Sequence, residues 1–315
     1  MSSRACFSCL FVSFRGPIAL VRWLGCLLFL GGVVVAQALT VAAYNVENYT
    51  LADRLVDGVF RPAYPKPEKE KAALRQVIAG LAPDILAVEE MGPQPFLDDF
   101  QRELKEAGQD FSFTALLQAA DPDRHVAVLS KVPVKEVRRH ARVALTYFGQ
   151  KDVVKRGVLE VIFATRQGDF SLFVVHLKSR RTERRDDPES GIQRQLEAEA
   201  VRDLVLSRYP DPAKGRFILC GDWNDTRSSK AVRALQKRGD TEVGEILPAT
   251  DSRGETWTHY YRREDTYSRI DYLLVSAALQ PFIQGGRATI WDGAGTGTGS
   301  DHRAVFLQLK LDPVK

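Results

Sequence analysis

A run of four apolar residues at positions 217–220 ends abruptly in the polar segment Gly-Asp-Trp-Asn at positions 221–224. The run predicts a buried β-strand, and the glycine and polar residues predict its end. Asp222 and Asn224 lie two positions apart, so an extended backbone places this carboxylate and this amide on one face. Such a pair suits a phosphate held near a metal ion, whereas an Asx turn that only caps the strand is the alternative.

Other strand-like runs end in the same way. Glu89 and Glu90 follow the run at residues 84–88. Adjacent strand residues point to opposite faces, so at most one of these two acids should serve a given site. Asp271 lies inside an apolar run, where an unpaired carboxylate is costly, so it needs a cationic or donor partner. In chain order, the polar positions at the strand ends are Asn45, Glu90, His176, Asp222 with Asn224, Asp271, and Asp301 with His302.

The first 38 residues differ in kind from the rest. They contain three arginines and no acid, followed by an apolar run over residues 24–35 and the small-x-small site Ala-Gln-Ala at residues 36–38. The run is shorter than the roughly 20 apolar residues that span a bilayer. These features predict a signal peptide over residues 1–38 that is removed on export to the periplasm or the medium. An uncleaved N-terminal anchor is the alternative.

Removal of this leader changes the composition of the chain. Cys6, Cys9 and Cys26 leave with it, so Cys220 remains alone and the exported domain is predicted to have no disulfide. The full chain has 44 Lys and Arg against 40 Asp and Glu, and loss of the three leader arginines leaves a charge of about +1. A nearly neutral domain offers no broad basic surface, so any contact with nucleic acid must be local.

Residues 39–315 predict a single domain. About a dozen strand candidates, with helices after some and hairpin-like links between others, predict two packed sheets flanked by helices. Three local predictions are a Pro-rich loop at residues 61–67, a surface position for His125, and a glycine-rich loop at residues 293–299. The glycine spacing of the last loop does not match a dinucleotide-binding turn.

The order and spacing of the polar strand ends resemble the endonuclease/exonuclease/phosphatase superfamily, which includes deoxyribonuclease I and exonuclease III. The resemblance extends from residues 44–48 to residues 300–302, which is nearly all of the predicted domain. It implies an α/β (α+β) fold, a four-layer αββα sandwich of two mainly antiparallel β-sheets packed face to face with helices outside. It also implies divalent-metal-dependent hydrolysis of a phosphate ester by a metal-activated water.

The resemblance also implies a metal site. Residues 83–90 are similar to the family strand that ends in a metal-binding glutamate, and alignment on Pro-Asp at residues 83–84 places this ligand at Glu90. Asn45 and Asp301 would lie nearby, with Asn45 also contacting substrate. Hard oxygen ligands suit Mg²⁺, and Mn²⁺ is the alternative cation.

The catalytic roles follow from the same resemblance. Asp222 would orient or deprotonate the attacking water, Asn224 would hold a phosphate oxygen, and His176 would be a second phosphate-binding group. His302 would pair with Asp271, and it would donate to a phosphoryl oxygen or take a proton. The sequence leaves the identity of the general base open.

The predicted substrate is a phosphodiester, with nucleic acid as the preferred class. The segment around Asp271 resembles the nuclease branch, the Cys-Asp-Arg element of the inositol-phosphatase branch is missing, and the loops lack the apolar character of the sphingomyelinase branch. We therefore predict an exported monomeric nuclease with no stable membrane association after cleavage of the signal. The alternatives are a phosphomonoesterase, a lipid or inositol phosphoesterase, and a non-catalytic binding protein on this scaffold.

A charged segment directly after His176 is the candidate surface for the substrate backbone. Its arginines are Arg180, Arg181, Arg184 and Arg185. Three acids lie among them, so a solvated charged loop without a binding role is the alternative.

Overall fold

Two large β-sheets form the centre of the protein in a computed structural model that describes residues 38–182 and 184–314. The first sheet has seven strands, in the spatial order β16 (Ala249–Thr250), β20 (Ala288–Ile290), β21 (Val305–Leu309), β1 (Leu39–Tyr49), β4 (Ile85–Met91), β6 (His125–Ser130) and β5 (Phe113–Leu117). The second has six, in the order β15 (Glu245–Ile246), β19 (Asp271–Val275), β12 (Phe217–Asp222), β11 (Phe170–Val174), β10 (Val158–Phe163) and β7 (Glu136–His140).

Most neighbouring strands in both sheets are antiparallel. Among the paired strands of the described chain, β16 with β20, β1 with β4 and β11 with β12 run parallel. The sheets are therefore mainly antiparallel, as predicted.

The helices cover the outer faces of the sheets. Helices α1 (Glu68–Leu81) and α2 (Gln94–Glu106) pack on the first sheet, and α3 (Gly191–Arg208) and α4 (Lys230–Gln236) pack on the second. A third cluster of buried side chains fills the space between the two sheets. These four layers confirm the predicted αββα sandwich.

Strand β1 shows why the central runs are apolar throughout. Val41 and Ala43 face the second sheet, whereas Ala42 and Tyr44 face the helices α1 and α2. Successive strand residues point to opposite sides, so a sheet covered on both sides needs apolar residues at every position. In β1 the first buried polar residue after this apolar run is the candidate site residue Asn45.

Smaller hairpins join the central strands. They are β2 (Ala52–Val56) with β3 (Val59–Tyr64), β8 (Ala144–Tyr147) with β9 (Gln150–Val153), β13 (Lys237–Arg238) with β14 (Thr241–Glu242), and β17 (His259–Tyr261) with β18 (Thr266–Ser268). Two short 3-10 turns, Gln280–Phe282 and Gln284–Gly286, precede β20.

The hairpin of β2 and β3 corrects two predictions. Residues 61–64 belong to β3 and are not part of a Pro-rich loop. The hairpin turns at Asp57 and Gly58, which both have positive φ, as a two-residue type I′ turn requires. Its tip carries Leu55 and Phe60, whose exposed fractions are 75% and 64%, so the chain does have an apolar loop at its surface.

His125 is buried at the start of β6, contrary to its predicted surface position. The strand pairs with β4 and β5 on its two sides, which removes the imidazole from solvent. Burial lowers the pKa of His125, and within the described residues neither ring nitrogen has a hydrogen-bond partner. The histidine is therefore a neutral core residue.

The predicted signal peptide lies outside the described residues, except for Ala38. Among the residues that the structure describes, no helix is long and apolar enough to cross a bilayer. Cys220, on β12, is buried with a free thiol, in agreement with its predicted position.

A buried ion pair joins Asp251, directly after β16, to Arg303, shortly before β21, and both strands belong to the first sheet. Arg303 Nη2 donates to Asp251 Oδ2 at 2.8 Å, and both side chains are at most 1% exposed. The backbone N–H groups of Arg253 and Glu255 also donate to Asp251. Burial favours the neutral acid, but these donors outweigh it and hold the pKa of Asp251 well below its usual range.

Replacing Asp251 with asparagine is expected to lower the free energy of unfolding by about 3–5 kcal/mol, because it leaves the Arg303 guanidinium buried without its counter-charge. Because the folded-state pKa of Asp251 is depressed, its contribution is present above pH ~4 and is lost as the pH falls further. Urea unfolding measures the effect. The control is Asp169→Asn, which breaks the exposed Lys135–Asp169 pair and should cost less than about 1 kcal/mol. Equal costs for the two variants would contradict the prediction.

Candidate active site

The predicted site residues meet at one edge of the sandwich. Asp222 ends β12 and pairs directly with Asp271 at the start of β19. The corrected boundary of β19 places Asp271 at a strand terminus, where its carboxylate faces this edge. Asn45 on β1 approaches from the other sheet, and its side-chain Nδ2 donates to Asp222 Oδ2 at 3.1 Å. The two sheets therefore each contribute residues to a single cluster.

Asp222 is the centre of this cluster. His176 Nε2 lies 3.5 Å from Asp222 Oδ2, and His302 Nε2 lies 3.8 Å from the same oxygen. The backbone N–H of Asn224 donates to Asp222 Oδ1 at 2.8 Å, as in an Asx turn. Burial raises the pKa of Asp222 to about 7, although His302 acts in the opposite direction. A carboxylate with a pKa near neutrality can accept a proton at physiological pH.

Asn224 holds Asp222 in place. Its Nδ2 donates to Asp222 Oδ2 at 3.2 Å and to the backbone oxygen of Leu177 at 3.0 Å. Its φ of 54° is in the left-handed region, which asparagine tolerates better than most residues. The predicted contact of this amide with a phosphate oxygen stays a prediction.

His302 is oriented by Asp271, as the resemblance implies. Its Nδ1 lies 3.0 Å from Asp271 Oδ2 and 3.1 Å from Oδ1, which leaves Nε2 directed toward the cluster. Burial lowers the pKa of His302, but the carboxylates of Asp271 and Asp222 outweigh burial and raise it well above its ordinary value. The ring is therefore an imidazolium that can donate from Nε2.

His176 has the opposite electrostatic character. Burial lowers its pKa well below the ordinary value, and the nearby positive charge of Arg156 lowers it further. Arg156 is itself buried and donates to Asp121 Oδ2 at 2.8 Å. The site thus combines one neutral and one charged imidazole on either side of Asp222.

Glu90 and Glu89 lie at different depths of the same site. Glu90 has a φ of 60°, and the strand register shifts around it, so strict alternation ends there. Its Oε2 accepts from the backbone N–H of Asn48 at 2.9 Å, and its Oε1 lies 4.0 Å from His176 Nε2. Glu89 is completely buried, and burial together with Asp271 raises its pKa well above the usual range.

Gly221 shows how tightly Glu89 is enclosed. Its φ is 128°, and a Cβ atom there would lie 2.0 Å from the backbone oxygen of Val175 and 2.9 Å from Glu89 Oε1. Only glycine fits such a close approach. Glu89 therefore forms the floor beneath Asp222 as a neutral acid, whereas Glu90 lies at the opening.

A group of acidic residues borders Glu90. Glu47 Oε2 accepts from the backbone N–H of Asp301 at 3.0 Å. Burial raises the pKa of Glu47 to about 7, and the charges of Asp301 and Glu90 contribute. Burial would raise the pKa of Asp301, but a hydrogen bond from His259 and the charge of His302 lower it. Several carboxylates are thus crowded together with partly uncompensated charge.

Three residues of this site were not predicted from the sequence. Glu47 lies in the segment that carries the resemblance, but its left-handed φ of 48° breaks the strand pattern that would have assigned its side. His259 Nε2 lies 3.5 Å from Asp301 Oδ2, and its ring lies 4.6 Å from that of His302. Arg124 Nε donates to Asn48 Oδ1 at 2.8 Å and lies 4.0 Å from Glu90 Oε2. Of these three residues, only His259 had a signal in the sequence, because it lies in the aromatic run at residues 257–261 shortly before Asp271.

The predicted arginines separate into different environments. Arg180 is half exposed and its Nη2 lies 3.8 Å from Asp225 Oδ1, directly beside the Asn224 turn. Arg184 instead donates to Asp186 at 2.9 and 2.6 Å, and its guanidinium lies 4.4 Å from the ring of Phe148. Arg181 and Arg185 are exposed. Arg180 is therefore the arginine that the structure brings to the border of the site.

The sequence and its fold agree with one known family. A sequence model described as the Endonuclease/Exonuclease/phosphatase family matches residues 42–302. The chain belongs to this family. Members of the family are metal-dependent phosphoester hydrolases, so the family assigns that coarse class of chemistry to the chain.

Solved structures of the family share the fold at low sequence identity. The human Nocturnin catalytic domain with bound sulfate has a TM-score of 0.58 and 15% identity, over 87% of this chain and 94% of that one. Sphingomyelinase C from Streptomyces griseocarneus has a TM-score of 0.57 and 17% sequence identity, over 86% of this chain and 99% of that one. A beta toxin variant from Staphylococcus aureus with bound magnesium ions has a TM-score of 0.58 and 13% sequence identity, over 86% of this chain and 99% of that one. No curated protein matches the sequence.

The donor set fits the divalent cation that the family uses. Glu90, Glu47 and Asp301 offer hard carboxylate oxygens, and their mutual repulsion would be relieved by a cation between them. In the described chain, the groups of three ligand-type side chains with atoms within 4.8 Å of one another are Asp222, Asp271 and His302, and His259, Asp301 and His302. Asp301 belongs to the second group, whereas Glu90 and Glu47 belong to neither, so their fit to Mg²⁺ rests on the chemistry of their carboxylate oxygens.

Proposed function

We propose that the protein is an exported, Mg²⁺-dependent phosphodiesterase that cleaves nucleic acid and acts as a monomer. The observation that carries the proposal is the position of the Asp222 carboxylate, 3.5 Å from His176 Nε2 and 3.8 Å from His302 Nε2. A base flanked by two imidazoles can direct a water toward phosphorus while the donors bind the phosphoryl oxygens. Mg²⁺ held by Glu90 and Asp301, with Asn45 nearby, would supply positive charge to the phosphate.

The side chains around Asp222 divide the work of hydrolysis. Asp222 accepts a hydrogen bond from the attacking water and takes its proton, which its pKa of about 7 allows. As the water oxygen bonds to phosphorus, one P–O ester bond breaks, and the departing ester oxygen takes a proton from solvent and leaves as an alcohol. His302 donates from Nε2 to a phosphoryl oxygen, and Asp271 keeps that ring charged. His176 is neutral and contributes a hydrogen bond without adding charge. Asn224 keeps Asp222 oriented.

A substrate panel tests the proposed activity. The purified protein is assayed on single- and double-stranded DNA, RNA, phosphatidylcholine, sphingomyelin and inositol phosphates, with EDTA and with added Mg²⁺ or Mn²⁺. We expect turnover of DNA or RNA that EDTA abolishes and Mg²⁺ restores. Turnover of a phosphomonoester alone, or turnover that EDTA does not affect, would contradict the proposal.

Export is proposed from the acid-free, basic and apolar character of residues 1–38. Cleavage after Ala38 is expected, so N-terminal sequencing of the exported protein should begin at Leu39. Leu39 is already paired with Leu309 in the first sheet, so the cut would lie directly before the folded domain. Recovery of the full-length chain from the cytosol would contradict this part of the proposal.

Arg180 is expected to contact the nucleic-acid backbone. Each phosphate contact to duplex DNA contributes about 0.9 to the slope of log affinity against log salt. Arg180→Ala should therefore lower that slope by about 1, measured by fluorescence anisotropy with a DNA duplex in EDTA. Arg184→Ala is the matched control, because Asp186 and Phe148 already hold its guanidinium. An equal decrease of the slope in Arg180→Ala and Arg184→Ala would show that the arginine segment acts only through its net charge.

The apolar hairpin favours a second candidate, a phosphodiesterase that acts on lipids at a membrane surface. Leu55, Val59 and Phe60 are exposed by 75%, 53% and 64%, and exposed apolar groups of this kind can enter a bilayer. Cosedimentation with phosphatidylcholine vesicles tests it. Binding that is lost in Phe60→Ser, together with turnover of the lipid in the panel, would favour this candidate over the nuclease.

A further inference from the structure

Two charged side chains of α3 are buried, although neither belongs to the catalytic cluster. Arg194 and Glu197 are 2% and 0% exposed. Arginine and glutamate are rarely buried to this extent unless partners hold them, because loss of hydration is costly for a charged group. Positions three apart share one face of a helix, so both side chains can reach the same neighbouring segments.

The Arg194 guanidinium bridges two segments of the site, the His176 segment (residues 176–178) and the Asn224 turn (residues 222–225). Its Nη1 donates to the backbone oxygen of Lys178 at 3.1 Å, and its Nε donates to Asp225 Oδ2 at 3.0 Å. The donors of a guanidinium lie in one rigid plane. This single side chain therefore fixes the distance between the two segments.

Glu197 holds the other backbone group of Lys178. Its Oε2 accepts from the backbone N–H of Lys178 at 2.7 Å, and its Oε1 accepts from the backbone N–H of Lys155 at 3.1 Å. Helix α3 thus contacts both the N–H and the carbonyl oxygen of Lys178. The His176 segment cannot shift along the helix without leaving one of these buried groups without its hydrogen bond, which is costly.

The contact between His176 and Asp222 is itself weak. His176 Nε2 lies 3.5 Å from Asp222 Oδ2, which is longer than an ordinary N–H···O hydrogen bond. The surrounding backbone is held more closely: the N–H of Leu177 donates to the backbone oxygen of Asp222 at 3.0 Å, and Asn224 Nδ2 donates to the oxygen of Leu177 at 3.0 Å. The separation of the two catalytic side chains therefore depends on how their segments are held.

We propose that Arg194 and Glu197 are positioning residues, which hold His176 and Asp222 at the separation that hydrolysis requires. The inference rests on the proposed function, because it gives the two residues a part in the reaction at Asp222. Both side chains are buried, so they act through the His176 segment and the Asn224 turn and not on the substrate itself. Misplacement of a reacting group by about 1 Å can lower a rate by about 100-fold.

The test separates positioning from a general loss of structure. Arg194→Lys keeps the positive charge but has a single nitrogen, so it cannot span the His176 segment and the Asn224 turn together. We expect kcat for bis(4-nitrophenyl) phosphate to fall by about 10- to 100-fold. Binding of Mg²⁺, measured by calorimetry, should change by less than about 2-fold, because distant sites are independent. Glu90 lies in β4 of the first sheet, whereas α3 packs on the second.

A second arginine of the same helix provides the matched control. Arg202 Nε donates to Asp203 Oδ1 on α3 itself at 2.9 Å, so Arg202→Lys should leave kcat unchanged. Asp225→Asn weakens the bridge from its other end and should also lower kcat. The double variant Arg194→Lys/Asp225→Asn should be close to the slower single variant, because both act through one contact. Loss of Mg²⁺ binding in parallel with kcat would show a merely structural role and overturn the proposal.

Amide hydrogen exchange separates this inference from the proposed function, because it requires no turnover. In Arg194→Lys, the amides of Leu177 and Lys178 should exchange at least about 5-fold faster, which corresponds to the loss of about one hydrogen bond. Residues 45–48 of the first sheet should exchange at an unchanged rate. This result would support the positioning role even if the diester is not cleaved. Unchanged exchange, or cleavage of the diester with unchanged kcat, would overturn the positioning role and leave the phosphodiesterase in place.

Discussion

His302→Ala is expected to lower kcat/KM by about 10³-fold or more, and Asp271→Asn in the same chain should add little to that loss. Asp271 contacts the ring at Nδ1 with both carboxylate oxygens, 3.0 and 3.1 Å away, and its charge keeps the imidazole protonated. Its effect on catalysis therefore passes through His302. Residues that act as one unit give losses that do not add.

The measurement is a double-mutant cycle on kcat/KM with a chromogenic phosphodiester. The single variants and the double variant should all be slow, with the double variant close to the slower single one. Thermal unfolding of each variant separates a loss of folded protein from a loss of catalysis. If the two losses multiply, Asp271 supports only the fold and the proposed pair is wrong.

The layers of the fold were predictable because buried strands and helices have recognisable patterns of apolar residues in the sequence. Strand β12 is covered on both faces, so residues 217–220 are all apolar and its one charged residue, Asp222, comes at the end. Leu74, Val77 and Ile78 recur in the sequence at the spacing of one helix face, and all three are buried in α1. Both patterns are local, so they can be recognised without knowing which strands are neighbours.

Features that depend on non-local contacts were not predictable. His125 follows a polar turn that favours the surface, but pairing of β6 on both sides encloses it. Glu47 has a left-handed backbone, so its direction does not follow from strand alternation. His259 reaches Asp301 only because β17 lies against the segment of His302, which is 43 positions away in the sequence. The proximity of such residues is a property of the folded chain.

Glu90→Gln is expected to raise the Mg²⁺ concentration for half-maximal activity by at least about 10-fold, whereas Glu89→Gln should leave it unchanged. Glu90 lies at the opening of the site, where its Oε1 is 4.0 Å from His176 Nε2. Its charge contributes to the raised pKa of Glu47. Glu89 is enclosed against Gly221, and burial keeps it protonated. Glutamine is close in shape and charge to a neutral glutamic acid, so that replacement removes no ligand charge.

The pair of variants is matched because both replace one glutamate of β4 by glutamine at adjacent positions. Activity is titrated with Mg²⁺ after removal of metal by EDTA, and metal binding is measured directly by calorimetry, which does not depend on turnover. A larger metal requirement for Glu89→Gln would place the ligand one residue earlier in the strand. The side chains of the strand alternate between its two faces up to Glu89, and the alternation ends at Glu90. That result would therefore mean that Glu89, beneath Asp222, holds the cation, and not Glu90 at the opening.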